Sequence, residues 1–230
     1  MAEFASSSLF FGTFLSLAAY GVGVFLRSRW KFALFNPLLV AILLVAVFLV
    51  AFDIDYAVYN EGAKYISYLL TPATVCLAVP LYQQFSLLKQ NAKAVLLGIA
   101  AGVLTSLTVI LAMSVLFHLD HTMYVTLLPK SITTAIGIGV SEELAGIQSL
   151  TVVVIIITGV LGNIFAELVC KVFRITDPIA QGVGIGTSTH AVGTARAMEM
   201  GEIQGAMSGL SIVVSGLMTV VAANLFAGFY

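Results

Sequence analysis

Hydroxyls, a histidine and an arginine sit inside one of the most apolar chains a helix could belong to: "GIGTSTHAVGTARAMEMGE", residues 184–202. A guanidinium at the centre of a bilayer costs about 2.5–3.5 kcal/mol on insertion scales. Arg196 must therefore be paired, lie near an interface, or line a wet cavity. Gly182, Gly184 and Gly186 precede the hydroxyls and weaken a helix there. A break at this point would expose backbone donors and the hydroxyls of Thr187, Ser188, Thr189 and Thr194. With His190, Gly193 and Arg196 alongside, the set suits a small anion. The competing reading is a small-residue face for close helix packing, with Arg196 reaching the surface; the imidazole and guanidinium tilt the balance toward a site.

A second polar intrusion is Leu128-Pro129-Lys130-Ser131-Ile132-Thr133-Thr134. Proline ahead of a lysine and three hydroxyls would cap a short helix dipping into the membrane, its positive end and Lys130 facing a carboxylate. The alternative is a turn outside the bilayer. Thr71, Pro72 and Thr74 form a weaker counterpart earlier in the chain. His190, with a free pKa of about 6.5, suits a coupled proton. Glu167 could share that relay, although pairing with Lys171 at i, i+4 is the simpler expectation. Glu142 and Glu143 are expected in an outer vestibule or as caps. His118 and His121 lack further nearby ligands, so no metal is expected. Gly182-x-Gly184-x-Gly186 is not the dinucleotide pattern, and neither HExxH nor GxSxG occurs. Neither an enzyme nor a cofactor is therefore expected.

The elements that must position these groups follow from composition. Of 230 residues, 60% are hydrophobic and only 9% charged, against about 25% charged in soluble domains. A single integral membrane domain over 1–230 is expected, all-α and polytopic. Its segments run roughly 9–26, 32–52, 65–82, 94–117, 123–140, 150–170, 179–197 and 206–229. Proline or glycine clusters should break the third, fifth and seventh. The opening MAEFASSSLFFG carries no lysine or arginine, which argues against a cleaved signal. Cys76 and Cys170 read as packing residues, and a net charge of −1 gives no sign of nucleic acid.

Basic residues in short loops stay on the cytoplasmic side. Arg27, Arg29 and Lys31, then Lys89 and Lys93, then Lys171 and Arg174 should therefore share that side, opposite the acidic stretches 53–64 and 142–143. This arrangement requires about seven crossings plus one re-entrant segment, N-terminus out and C-terminus in. The parts are an N-terminal helix with its basic loop (1–31), a first repeat (32–118), a re-entrant connector (119–149) and a second repeat (150–230). The two repeats would be inverted, each with a discontinuous helix, a transporter architecture with substrate held between the breaks.

"LLPKSITTAIGIGVSEELAGI", "ITGVLGNIFAEL" and "RITDPIAQGVGIGTSTHAVGTARAMEMGEIQGAMSGL" closely resemble the LrgB/CidB family of bacterial membrane proteins, specifically from Leu127 onward. The resemblance implies an antiholin-like regulator of murein hydrolases and autolysis. It equally implies kinship with carriers of small monocarboxylates such as pyruvate, glycolate and glycerate, and a small four-helix LrgA/CidA-type partner. It points to Lys130, Ser131, Thr133 and Thr134, and to Thr187, His190, Gly193, Thr194 and Arg196. Ala135 stands where many relatives carry proline. The expectation is a bacterial inner-membrane, multi-pass secondary transporter, or transporting subunit, for a small monocarboxylate working by alternating access, able to form homo-oligomers. A non-transporting regulator is the alternative.

Overall fold

Apolar runs interrupted by proline, glycine and capping residues fold into helices, and no strand occurs among the described residues. The computed structural model describes residues 8–30, 35–69, 72, 75–76 and 78–230. Thr71 and Thr74 lie outside them. Two contact-dense units divide the chain, Met1–Cys76 and Leu77–Tyr230.

In the first unit, α1 (Phe11–Arg29), α2 (Pro37–Ala51) and α3 (Tyr56–Ser67) pack together. Asn36 caps α2 with proline at the first helical position, and the Asp55 carboxylate accepts from the Ala57 amide at 2.6 Å to cap α3. Thr13 donates to the Gly62 carbonyl at 2.6 Å, and the Ser16 and Tyr59 hydroxyls meet at 2.7 Å.

The second unit comprises α4 (Ala78–Gln83), α5 (Phe85–Phe117), α6 (His121–Leu127), α7 (Thr134–Glu143), α8 (Gln148–Val172), α9 (Pro178–Met200) and α10 (Glu202–Ala227). Helices α1, α5, α8 and α10 are each long and apolar enough to span a bilayer, so the protein is an all-helical, multi-pass membrane protein. Val95, Ile99, Val103, Leu107 and Ile110 of α5 are buried on one stripe, whereas Leu97, Leu104 and Val115 are exposed on the other. That is the pattern of a helix with one face on protein and one on lipid.

Segment 118–147 turns back. It leaves beside the C-terminal end of α10, where Tyr230 donates to the Leu119 carbonyl at 2.6 Å and Tyr124 to the Phe226 carbonyl at 2.7 Å. It returns to that same end, where Asn224 donates to Glu143 at 3.3 Å. Between these points the turn 128–133 reaches inward to Ser106 of α5. A buried cluster then ties the hairpin to the start of α8. The Thr126 hydroxyl accepts from the Ile147 amide at 2.8 Å, and Thr151 lies 2.8 Å from Ser141 and 2.9 Å from the Thr126 carbonyl.

Helix α9 turns back as well, which the sequence reading of a single crossing did not anticipate. His190 sits inside it with φ 44° and ψ −144°, a conformation L-residues avoid at about 1–3 kcal/mol. Packing shows how sharp the resulting reversal is. A Cβ on Gly182 would lie 2.5 Å from the Gln204 carbonyl oxygen, and one on Gly186 2.3 Å from that of Ser208, so arm 178–189 advances alongside α10. Beyond the break, Thr194 pairs with Ser208 and Met198 packs on Gly205. Arm 191–200 therefore retraces the same stretch of α10, and α10 begins at the end from which α9 departed. The order of a short antiparallel pair followed by a long helix thus occurs twice, over 121–172 and 178–227. The two long helices, α8 and α10, run in opposite directions. Within this unit the basic loops gather at one end and Glu143 at the other, as the charge pattern predicts. Tyr230, however, lies at the Glu143 end, which corrects the expectation of a C-terminus on the basic side: the reversal of α9 removes one crossing.

Candidate functional site

Between α5, the turn 128–133 and the first arm of α9 lies a groove of about 420 Å³. From the first arm come Val183, Gly184, Thr187 and Ser188; from the turn, Lys130 and Ser131; from α5, Gly98, Gly102, Thr105, Ser106 and Val109. The arm starts cleanly: the Asp177 carboxylate accepts from the Ala180 amide at 2.9 Å with Pro178 at the first helical position. It lies close to α5 because Gly102 leaves room for Thr187, whose Cγ2 would sit 2.7 Å from any Cβ there.

Depth can be counted from either end. Ser106 precedes the end of α5 by 11 residues, about 16 Å at 1.5 Å per residue. Thr187 follows the start of α9 by 9 residues, about 14 Å from the opposite end. The two counts meet near the middle of a hydrocarbon layer about 30 Å thick.

The groove carries one positive charge that no carboxylate of the described residues neutralises. Lys130 Nζ donates to Ser131 Oγ at 2.9 Å, and Ser131 Oγ lies 3.2 Å from Ser106 Oγ. Thr187, from the arm that lines the same groove, is buried and its hydroxyl has no hydrogen-bond partner. Among the described residues only Ser114 shares that property, and Ser114 lies outside the groove. An ammonium and two linked hydroxyls on one space, with Thr187 in the wall beside them, are groups that suit a small carboxylate. Its charge is met by the ammonium, and its oxygens by O–H donors.

Other residues singled out from the sequence do not line this groove. Thr133 and Thr134 begin α7 behind the turn. Thr189 donates to the Ile185 carbonyl at 2.7 Å and packs where Gly162 leaves space. His190 Nε2 donates to the Ile155 carbonyl at 3.0 Å, and its ring fills the gap left by Gly159. Thr194 donates to the His190 carbonyl at 2.9 Å and lies 2.7 Å from Ser208 Oγ. Gly193 is buried against Thr189 and Ile185 within the hairpin. Arg196 is clamped by Glu167 of α8 and Glu199 of its own arm. Glu167 also lies 3.7 Å from Lys171, the expected i, i+4 pair. These charges border a wider vestibule of about 770 Å³ at the basic end. Gly102, Thr105 and Ser106 are the site residues missed in the sequence. Their only signal was polar and small residues every third or fourth position on an otherwise apolar helix.

Comparison with known proteins places the chain among relatives. The profile of a family described as LrgB-like matches residues 16–229. A protein of Bacillus subtilis (strain 168) named "Antiholin-like protein LrgB" is 38% identical over 223 residues, covering 96% of each chain. One of the same name from Bacillus mycoides (strain KBAB4) is 38% identical over 221 residues, again covering 96% of each. No solved structure matches.

Proposed function

Because the chain belongs to the LrgB-like family, we propose that it is an antiholin-like membrane protein of the bacterial inner membrane whose second unit binds and carries a small monocarboxylate such as pyruvate or glycolate. The observation that carries the reading is the unneutralised Lys130 in a mid-depth groove, which Thr187, with a buried hydroxyl that has no partner, also lines. A buried polar group without a partner costs about 1–3 kcal/mol, and a ligand that supplies the partner recovers it. Lys130 neutralises the anion; Ser131, Ser106 and Thr187 orient it; Thr105 and Ser188 complete the walls. His190, Thr194 and Gly193 act by holding the α9 hairpin in shape. Two hairpins entering from opposite ends, each followed by a long helix, support an inverted-repeat reading with the repeats at 121–172 and 178–227 in place of the expected 32–118 and 150–230. They give the protein two elements whose relative movement would open the groove to one side at a time. A small LrgA/CidA-like protein is the proposed partner.

Uptake of labelled pyruvate and glycolate into proteoliposomes, with and without a pH gradient and an LrgA-like partner, tests this. Saturable uptake that disappears in Lys130→Met is expected. No uptake in any of these combinations would remove the carrier reading.

The second reading is a non-transporting regulator of murein hydrolases and autolysis, and the relatives' name, antiholin-like, favours it. On that reading Lys130→Met leaves autolysis control intact, whereas disrupting partner binding abolishes it. Measuring autolysis and uptake in the same variants separates the two.

A further inference from the structure

Resting on the carrier reading, we infer that solute passes between the groove and the basic end of the protein around the first arm of α9, over a window kept open by Gly184.

Three cavities lie along this route. The vestibule of about 770 Å³ shares Cys170, Ile175 and Gln181 with a middle cavity of about 190 Å³ against α8. That middle cavity shares Gly184 and Ser188 with the groove that holds Lys130. Gly184 and Ser188 lie one turn apart, on the ridge of the arm between its α8 side and its α5 side.

Glycines on this arm serve two different purposes. Gly182 and Gly186 permit contact: a Cβ on either would fall within 2.5 Å of an α10 carbonyl oxygen. Gly184 permits nothing of the kind, since a Cβ there meets no heavy atom within 4 Å. Close packing therefore does not explain its smallness. Gly184 and Ser188 are both exposed and line the middle cavity and the groove alike, so a side chain at 184 would project where the two cavities share a wall. The entrance is suited to a small anion as well: Lys171, Arg174 and Arg196 border the vestibule, with Glu167 and Glu199 engaged by Arg196.

The experiment places a reporter cysteine on the far wall of the groove, Val109→Cys, in a Cys76→Ser, Cys170→Ala background. A charged, membrane-impermeant methanethiosulfonate is applied to the basic side in oriented membrane vesicles. Labelling is expected, and Gly184→Leu is expected to slow it at least tenfold. Gly139→Leu, at another glycine whose Cβ would meet nothing, is expected to leave the rate unchanged. If Gly184→Leu does not yield monodisperse protein, Ser188→Leu is the second plug, with the same expectation. Undiminished labelling in both plugged forms, or labelling only from the opposite side, overturns the route. Normal pyruvate uptake by Gly184→Leu overturns the route and leaves the carrier standing. Slowed labelling in a parent protein that transports neither pyruvate nor glycolate leaves the route and removes the carrier.

Discussion

Two hairpin tips project into the second unit from opposite ends, one at 128–133 and one at His190, and they treat their polar groups in opposite ways. At the His190 tip the side chains of Thr189, His190, Thr194 and Arg196 each have a partner. The ring donates to Ile155, Thr194 binds both the His190 carbonyl and Ser208, Asn163 donates to the Val192 carbonyl at 2.7 Å, and Arg196 is held between two carboxylates. At the other tip Lys130 has only the neighbouring hydroxyl, and the groove it lines is also walled by Thr187, whose buried hydroxyl has no partner. Satisfied networks fix shape, whereas unsatisfied groups wait for a partner. Polarity in an apolar chain marks both; satisfaction tells them apart.

The largest effects should divide along that line. Gly186→Val drives a side chain into the Ser208 backbone, which cannot yield as a flexible side chain would. A loss of about 3 kcal/mol is expected, seen as a drop in thermal midpoint in detergent. Gly184→Ala on the same arm should leave the midpoint where it was. Equal midpoints for both would mean that the arm does not lie against α10. Lys130→Met should do the reverse. Uptake falls at least about 100-fold, as expected for loss of a charge pair worth about 3 kcal/mol in a desolvated site. The midpoint holds or rises, because a half-buried charge without a carboxylate partner has been removed. If the midpoint collapses with uptake, Lys130 belongs to the architecture and the contrast between the tips fails.

Two threonines of α9 make the same comparison at smaller scale, in nearly isosteric substitutions. Thr187→Val removes a hydroxyl that bonds nothing in the protein, so stability should not fall. Affinity for pyruvate should drop about tenfold, one hydrogen bond to a charged group being worth about 1.5 kcal/mol. Thr194→Val removes a hydroxyl bonded to both the His190 carbonyl and Ser208. It should cost about 1–2 kcal/mol of stability with binding essentially unchanged. Equilibrium binding of labelled pyruvate beside thermal melts reads both, and exchanged outcomes would put the site at the other tip.

Much of this was legible in the sequence. The turn at Pro129, the weakened stretch around His190, the Asp177-Pro178 start and the Glu167–Lys171 pair all follow from local chemistry, which acts over a few residues. The reversal at His190 was not legible, because no proline or glycine stands at the break. A histidine carries the strained φ there, held by packing against Gly159 of α8. That is a tertiary cause with no local signature. The division of the hydroxyls was hidden for a related reason. In "GTSTHAVGT" the hydroxyls of Thr187, Ser188, Thr189 and Thr194 look alike. Only the neighbours decide that Thr189 and Thr194 bond within the hairpin while Thr187 meets α5. Thr105 and Ser106 could be recognised only once α5 was known to face Lys130.

The smallest expected effect is the most pointed, because it tests whether the α9 tip is architecture alone. Glu167 and Glu199 keep 46% and 55% of their side chains exposed, so solvent screens their pairing with Arg196. Glu167→Gln should cost under about 1 kcal/mol, less still at high salt. Because Glu167 borders the vestibule and not the groove, the pH profile of uptake should keep its shape. The same holds for His190→Asn, asparagine being among the residues that best tolerate positive φ. Should either variant flatten the pH profile while leaving the thermal midpoint in place, these groups carry the coupled proton. The satisfied tip would then be functional too, and its hydrogen bonds would be the resting state of a relay.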